Sequence, residues 1–421
     1  MLNEKILRHS FFGAAFGTLI EYYDYSLFTL FLPIIAPLFF PSSSPYESLV
    51  KSFNVLLIAM VSRPLGGLFF GYLGDAFGRR KALLTSMYGI AIATIVIGFI
   101  PSYAQFGIGS IIILMIAKTI QIFCFGGEYN GAGIYVVEHA QSKNEGYIGS
   151  LLSAVTLIGS LIASVIGIII TFAFMPEWSW RIAFILGGVV GISGILYRKN
   201  LLESPHFKQA DAARDNLKNM LRKFPLEIIA GGFVGGFATV PFTTVFTFVA
   251  PVLLTKGFFT NQQFMIVQSL LIALAIVTLI IAGKSADKKS PAKVMQFGSL
   301  ILIFLSYPVF LMLDKLSMIG FFLVSITMIV SNEILLGPSN AFLKNLFPME
   351  YRYRGSSFSF TLGMSVFGGL TPIVENYLYQ RTSHFSAASV WLIFLGIGTW
   401  CAIALVNNKQ KSVVANKIIM N

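Results

Sequence analysis

Apolar residues run along this chain in long blocks, each closed by a short cluster of Gly, Pro or charged residues. A membrane-crossing helix needs roughly 20 mainly apolar residues. Twelve blocks reach that length, near 12–38, 52–73, 82–101, 107–138, 148–174, 180–198, 224–254, 264–283, 292–313, 317–347, 355–379 and 386–406. The pattern predicts an all-α membrane protein with 12 transmembrane helices. Blocks four and ten carry polar residues in mid-span, which turns them toward an aqueous cavity and away from lipid. Gly159, Ala163 and Gly167, spaced by four in block five, form a stripe for close helix packing.

The polar interruptions set the orientation. With the N-terminus inside, 23 of the 30 Lys and Arg fall in cytoplasmic segments, five (Lys51, Arg181, Lys256, Lys315, Arg381) on the other side, and Arg63 and Lys118 within helices. That asymmetry predicts that both termini are cytoplasmic. The chain also repeats weakly: Gly71…Asp75 recurs as Gly283…Asp287, and Gly146 at the start of helix 5 is matched by Gly355 at the start of helix 11. The expected organisation is an N-terminal six-helix half over 1–198, a basic linker over 199–223 and a C-terminal half over 224–421 with a short tail. Two such pseudo-repeats usually enclose a substrate site near the bilayer midplane. Gly337-Pro338 in helix 10 predicts a break that lines a cavity or acts as a hinge.

Composition agrees with a membrane protein: 56% of residues are hydrophobic, only 11% are charged, and the mean hydropathy is +0.77. The net charge of +12 follows topology and calls for no nucleic-acid partner. The first apolar run holds Glu21 and Asp24 and lacks a small-residue cleavage site, so it reads as a membrane helix and not a removed signal. Cys124 and Cys401 lie in apolar runs and are expected as free thiols packed like small hydrophobes. Gly283-Lys284-Ser285 is no phosphate loop, because Thr278 stands where Gly is required. With no ATPase signature, no metal-spaced His/Cys cluster and no nucleophile elbow, the sequence predicts neither an enzyme nor a cofactor or metal. The four histidines (His9, His139, His206, His384) sit at or near span ends, so a deep carboxylate is the better proton carrier.

Ionisable residues inside the helices are the candidate chemistry, since a charge at mid-bilayer costs about 3 kcal/mol or more. Glu21 and Asp24, three apart, share a face of helix 1, and two close carboxylates repel, which raises the proton affinity of at least one. They admit three readings: proton coupling, substrate contact, or structural pairing across the bundle. Lys118, Gln121, Phe125 and Glu128 span an arc of about 80° on helix 4, so all four face one cavity. Lys118 suits a substrate carboxylate or serves as a fixed counter-ion, with the helix 1 carboxylates as one candidate partner. Glu128 suits cation recognition, proton relay or an ion pair. Tyr22, Tyr25 and Tyr129 offer a cation–π cage or plain packing. Helix 10 adds Asn332, Glu333 and Asn340, while Glu375 is placed at the outer interface.

Particular motifs resemble a known family. The hairpin Gly71…Asp75…Gly78-Arg79-Arg80 is similar to the signature loop between helices two and three of the major facilitator superfamily. Gly17-Thr18-Leu19-Ile20-Glu21-Tyr22-Tyr23-Asp24-Tyr25 and Gly126-Gly127-Glu128-Tyr129-Asn130-Gly131-Ala132 resemble the first- and fourth-helix motifs of its metabolite:proton symporters, a branch that includes proline/betaine and organic-acid carriers. Trp178-Ser179-Trp180-Arg181, Glu203-Ser204-Pro205-His206-Phe207, Gly337-Pro338-Ser339-Asn340-Ala341, Arg354-Gly355 and Phe367-Gly368-Gly369-Leu370-Thr371-Pro372 follow in the family's order. Lys118 stands where the family usually has Arg, and Asn144-Glu145-Gly146 replaces an expected basic pair before Gly. The tail after helix 12 has no heptad repeat, so the coiled coil of some osmosensing members is not expected.

The resemblance implies the major facilitator fold and a secondary transporter in a bacterial inner membrane, taken as a monomer with a small-molecule substrate and protons as partners. The expected function is import of a small polar metabolite, either an osmolyte zwitterion such as proline or betaine or a di- or tricarboxylate, by proton symport with alternating access. Proton-independent facilitation or antiport is the rival, and a transporter-like sensor a remote one. The expected proton-coupling residues are Glu21, Asp24 and Glu128. Substrate contacts are expected from Tyr22, Tyr25, Lys118, Gln121, Tyr129, Asn130, Asn332 and Asn340. Arg63, Asp75, Gly78, Arg79, Arg80, Glu138 and Arg181 form the conformational group, with the loop of Asp75, Arg79 and Arg80 read as a latch.

Overall fold

A lipid-facing backbone must satisfy its hydrogen bonds within one segment, which leaves helices as the solution for apolar runs of this length. The computed structural model describes residues 2–42, 45–141, 143–170, 175–176, 178–198, 203 and 217–420, and no strand occurs among them. The long helices are α1 (Leu2–Phe39), α2 (Pro45–Phe77), α3 (Arg79–Phe99), α4 (Ile108–His139), α5 (Glu145–Ile170) and α6 (Trp180–Arg198). They continue as α7 (Pro225–Leu254), α8 (Asn261–Lys289), α9 (Pro291–Asp314), α10 (Met318–Lys344), α11 (Arg352–Thr382) and α12 (Ser389–Met420). Among the described residues, nine of these segments are long and apolar enough to cross a membrane, and α1, α2 and the shorter apolar α6 complete the twelve. The twelve-helix fold predicted from hydropathy is therefore present, although α1 begins ten residues earlier than expected and α12 runs well past 406.

Two compact units make up the chain: residues 1–139 with 154–213, and residues 140–153 with 214–421. Of the expected linker, Glu203 and Leu217–Lys223 are described, the latter as a short helix; its other residues lie outside the described ones. In the first unit α2 packs on α4, and α1 and α3 each pack on α4 and α6. Leu27, Phe28, Phe31 and Ile35 of α1 enter the core with Ile97, Leu114, Ala117, Trp180 and Phe184. Small residues set the close crossings. A Cβ at Gly66 would lie 1.7 Å from the Phe123 carbonyl oxygen, and one at Gly159 would lie 2.4 Å from that of Leu19. The obstacle at Gly66 is backbone, so relief needs the whole helix to move. Gly66→Ala is expected to destabilise the protein by about 1–3 kcal/mol, the usual cost of overpacking. A melting curve of purified protein checks this, and an unchanged midpoint would show that α2 and α4 separate freely.

In the second unit α7 crosses α11 at paired glycines: a Cβ at Gly363 would lie 1.7 Å from the Gly232 carbonyl oxygen. Both helices are interrupted. Pro241 has no N–H for the Phe237 carbonyl, the helix opens at Ala238–Thr239, and a π-helical stretch follows over Thr244–Val249. A second one, Met364–Gly368, precedes Pro372 in α11. The break predicted at Gly337-Pro338 is absent, since α10 is continuous through Pro338. Gly337 is needed for a different reason: its Cβ would lie 2.6 Å from the Leu279 carbonyl oxygen of α8. The thiols also divide. Cys124 is buried as expected, whereas Cys401 is exposed on the apolar surface of α12.

Candidate functional site

Polar side chains buried among apolar helices of the first unit find partners on neighbouring helices. Asp24, fully buried, accepts a hydrogen bond at Oδ2 from the Thr94 hydroxyl of α3 at 2.7 Å. Gln121 Nε2 of α4 donates to the same Thr94 oxygen at 2.7 Å, and Lys118 Nζ donates to Gln121 Oε1. Lys118 Nζ also sits 4.1 Å from the centre of the Phe28 ring, a cation–π contact on α1. The cation and the carboxylate are thus linked through Gln121 and Thr94. Thr94 has one proton and a second acceptor, the Ile90 carbonyl oxygen at 2.9 Å. With Asp24 ionised, the hydroxyl donates to Asp24. With Asp24 protonated, Asp24 donates to Thr94, which turns its own proton to Ile90. Asp24 Oδ1 has no hydrogen-bond partner among the described residues.

Glu21 takes a different direction. Its carboxylate lies 3.8 Å from the Arg63 guanidinium of α2, with side chains 1% and 5% exposed. Glu21 and Asp24 therefore have separate partners, Arg63 for the first and Thr94 for the second. Arg63, grouped in sequence with the conformational residues, belongs structurally to this buried pair. Beside it the three predicted tyrosines come together: Tyr22 lies 5.9 Å from Tyr129 and 6.4 Å from Tyr25 between ring centres, and Tyr25 lies 6.3 Å from Phe125. Glu128, on the same face of α4, accepts from the Ser86 hydroxyl of α3 at 2.5 Å. Asn130 is buried, and its Oδ1 has no hydrogen-bond partner among the described residues.

The α2–α3 turn makes a separate charged cluster. Gly78 has φ 107°, and a Cβ there would lie 2.3 Å from Glu203, so both backbone and space require glycine. The Arg79 N–H donates to Glu203 Oε1 at 2.8 Å. Its guanidinium, 1% exposed, donates to the Gly74 carbonyl at 3.0 Å and faces Asp75 at 3.5 Å and Glu138 of α4 at 3.7 Å. Arg79 thus braces the end of α2, the start of α3 and the end of α4. Arg80 lies half-buried at the same turn. Arg181 is elsewhere: it donates to the Gly98 carbonyl at 3.1 Å and the Ile100 carbonyl at 2.5 Å, capping the far end of α3.

In the second unit Asn340 donates to the Gly149 carbonyl at 3.1 Å and the Ser153 hydroxyl at 3.0 Å, which ties α10 to the first turns of α5. The Asp75 counterpart, Asp287, accepts from the N–H groups of Gly146 at 2.7 Å and Tyr147 at 2.9 Å, a cap on the α5 N-terminus. Asn332 donates to Glu333 Oε1 at 3.0 Å, and both are buried. Glu375 corrects the interfacial reading. It is fully buried and accepts from the Thr244 hydroxyl at 2.6 Å. Sequence reasoning missed the hydroxyl partners Ser86, Thr94 and Thr244 and the aromatic floor Phe28.

Residues 11–227 match the family described as sugar (and other) transporter. A putative proline/betaine transporter of Staphylococcus haemolyticus is 30% identical over 97% of this chain and 89% of its own length. The proline/betaine transporter of Escherichia coli K12 is 26% identical over 94% of this chain and 83% of its own. Among solved structures, a double-tryptophan mutant of XylE superposes with a TM-score of 0.77 over 93% of this chain and 95% of that one, at 14% identity, which speaks to the fold alone. The buried polar lines, the glycine-bearing α2–α3 turn and these likenesses agree: the chain is a multi-pass membrane transporter, not an enzyme, and belongs to the sugar (and other) transporter family of the major facilitator superfamily.

Proposed function

We propose that this transporter imports an osmolyte zwitterion of the proline/betaine class together with protons, by alternating access. The observation that carries the substrate class is the contiguous cluster of Tyr22, Tyr25 and Tyr129 beside the Glu21–Arg63 pair. Aromatic faces and a carboxylate suit a quaternary or secondary ammonium, and a buried cation suits the carboxylate of the same molecule. The names of the curated relatives support the same class. Proton coupling is assigned to Asp24, with Thr94 as the hydroxyl that changes donor direction and Lys118 as the linked cation. Glu21 and Glu128 stand in the same helical faces as auxiliary acidic groups, and Gln121 and Asn130 as polar contacts. Asn332 is a substrate contact in the second unit, whereas the bonds Asn340 makes to α5 favour a packing role. The latch is Asp75, Gly78, Arg79, Arg80 and Glu138. The distribution of Lys and Arg supports a cytoplasmic location for both termini, and the chain is taken to work as a monomer in a bacterial inner membrane.

Uptake of labelled betaine, proline, 2-oxoglutarate and citrate into proteoliposomes tests this reading. Betaine or proline is expected to accumulate only under an inward proton gradient, and a protonophore is expected to collapse the accumulation. Equal uptake with and without the gradient would make the protein a facilitator. Preference for citrate or 2-oxoglutarate would move the substrate to the organic acids.

A further inference from the structure

Glu375 of α11 is fully buried, and its polar surroundings are sparse. Oε1 accepts from the Thr244 hydroxyl at 2.6 Å, while Oε2 has no hydrogen-bond partner among the described residues. Thr244 departs from its neighbours here. Thr239, Thr243 and Thr371 return their hydroxyls to the carbonyl four residues back, whereas Thr244 gives its hydroxyl to the carboxyl.

Among the described residues, the segments packed against Gly369–Thr382 form no ion pair with Glu375. Val240–Thr243, Thr244–Val249, Met364–Gly368 and Phe385–Ala388 have no titratable residue, and α12 has none before Cys401. On α11 itself, Tyr379 lies one turn beyond Glu375, with its ring against Phe248 and Phe385. The exposed Lys256 holds its Nζ 5.7 Å from the centre of that ring, and Arg381 lies over Tyr377. Neither cation makes an ion pair with Glu375 among the described residues. An ionised carboxylate so enclosed would stand uncompensated, whereas a neutral acid leaves only an unfilled hydrogen bond. Thr244 opens one π-helical stretch, and a second in α11 ends seven residues before Glu375; such turns recur at functional sites.

We propose that Glu375 is a second proton-exchanging carboxyl of this transporter, housed in the second unit and independent of the Asp24 line. In this conformation it holds its proton on the carboxyl group, with Thr244 as donor to the other oxygen. When the π-helical stretches rearrange and water reaches Oε2, the proton passes to that water, and reprotonation reverses the step. The inference rests on the transporter fold and on no particular substrate.

Infrared spectroscopy of the full chain in lipid at neutral pH tests it without any substrate. The wild type is expected to show a protonated-acid C=O stretching band that is lost in Glu375→Gln and that shifts in the wild type on transfer to D2O. Thr244→Val keeps the acid but removes its donor, and is expected to move the same band to higher frequency, so the test survives a Gln variant that fails to fold. An unchanged acid region in Glu375→Gln would show that Glu375 is ionised and overturn the proposal. So would a band that Thr244→Val leaves in place, or one that never shifts in D2O, because a carboxyl that does not exchange is structural only.

Discussion

Asp24→Asn is expected to abolish proton-driven accumulation while sparing exchange of internal for external substrate. The substitution preserves shape, and an amide oxygen still accepts the Thr94 hydroxyl that reaches Asp24 at 2.7 Å. What it removes is the ability to gain and lose a proton. For one proton per substrate at zero membrane potential, a gradient of one pH unit is worth about 1.4 kcal/mol, or about tenfold in the accumulation ratio. The variant's ratio is expected to stay near one at any imposed gradient. Proteoliposomes loaded with unlabelled substrate separate the two activities: counterflow persists, and net accumulation fails. Full accumulation by Asp24→Asn would remove this carboxyl from the coupling mechanism.

Arg63→Gln is expected to destabilise the protein more than removing both partners of its pair. Arg63 and Glu21 lie 3.8 Å apart with almost no exposure, so loss of the cation leaves a buried carboxylate without its counter-ion. Breaking a buried pair from one side costs about 3–5 kcal/mol, whereas replacing both members is often close to neutral. The double variant Glu21→Gln/Arg63→Gln should therefore recover most of the loss. Thermal melts of the wild type, both single variants and the double variant measure this as a double-mutant cycle. Strictly additive effects would show that the two side chains do not depend on each other.

Hydropathy revealed the fold because lipid leaves the backbone so few alternatives: twelve apolar blocks became twelve helices. It was less able to place interruptions. Gly337-Pro338 carries the usual signal for a break, yet the glycine serves the approach of α8 and the helix stays whole. The true interruptions, at Pro241 and before Pro372, carry the same kind of signal, and only packing decides between the two outcomes. Among the site residues, the shared face of Lys118, Gln121 and Glu128 was legible from helical spacing, and the tyrosine cluster from its motif. Thr94, Ser86 and Thr244 were not, since a hydroxyl in an apolar helix ordinarily bonds its own backbone and nothing local marks those that also reach, or reach instead, a neighbouring helix. Glu375 was misjudged because nearness to a helix end in sequence measures depth in the bilayer and not enclosure within the bundle.

The placement of the two thiols has a practical consequence for measuring conformational change. Cys124 is enclosed beside Gly89, and Cys401 faces outward from an apolar stretch of α12, where hydrocarbon would surround it. A reagent confined to water reaches neither setting. Water-soluble maleimides are thus expected to leave the native chain unlabelled, and a cysteine engineered at any aqueous position would report its own accessibility against a silent background.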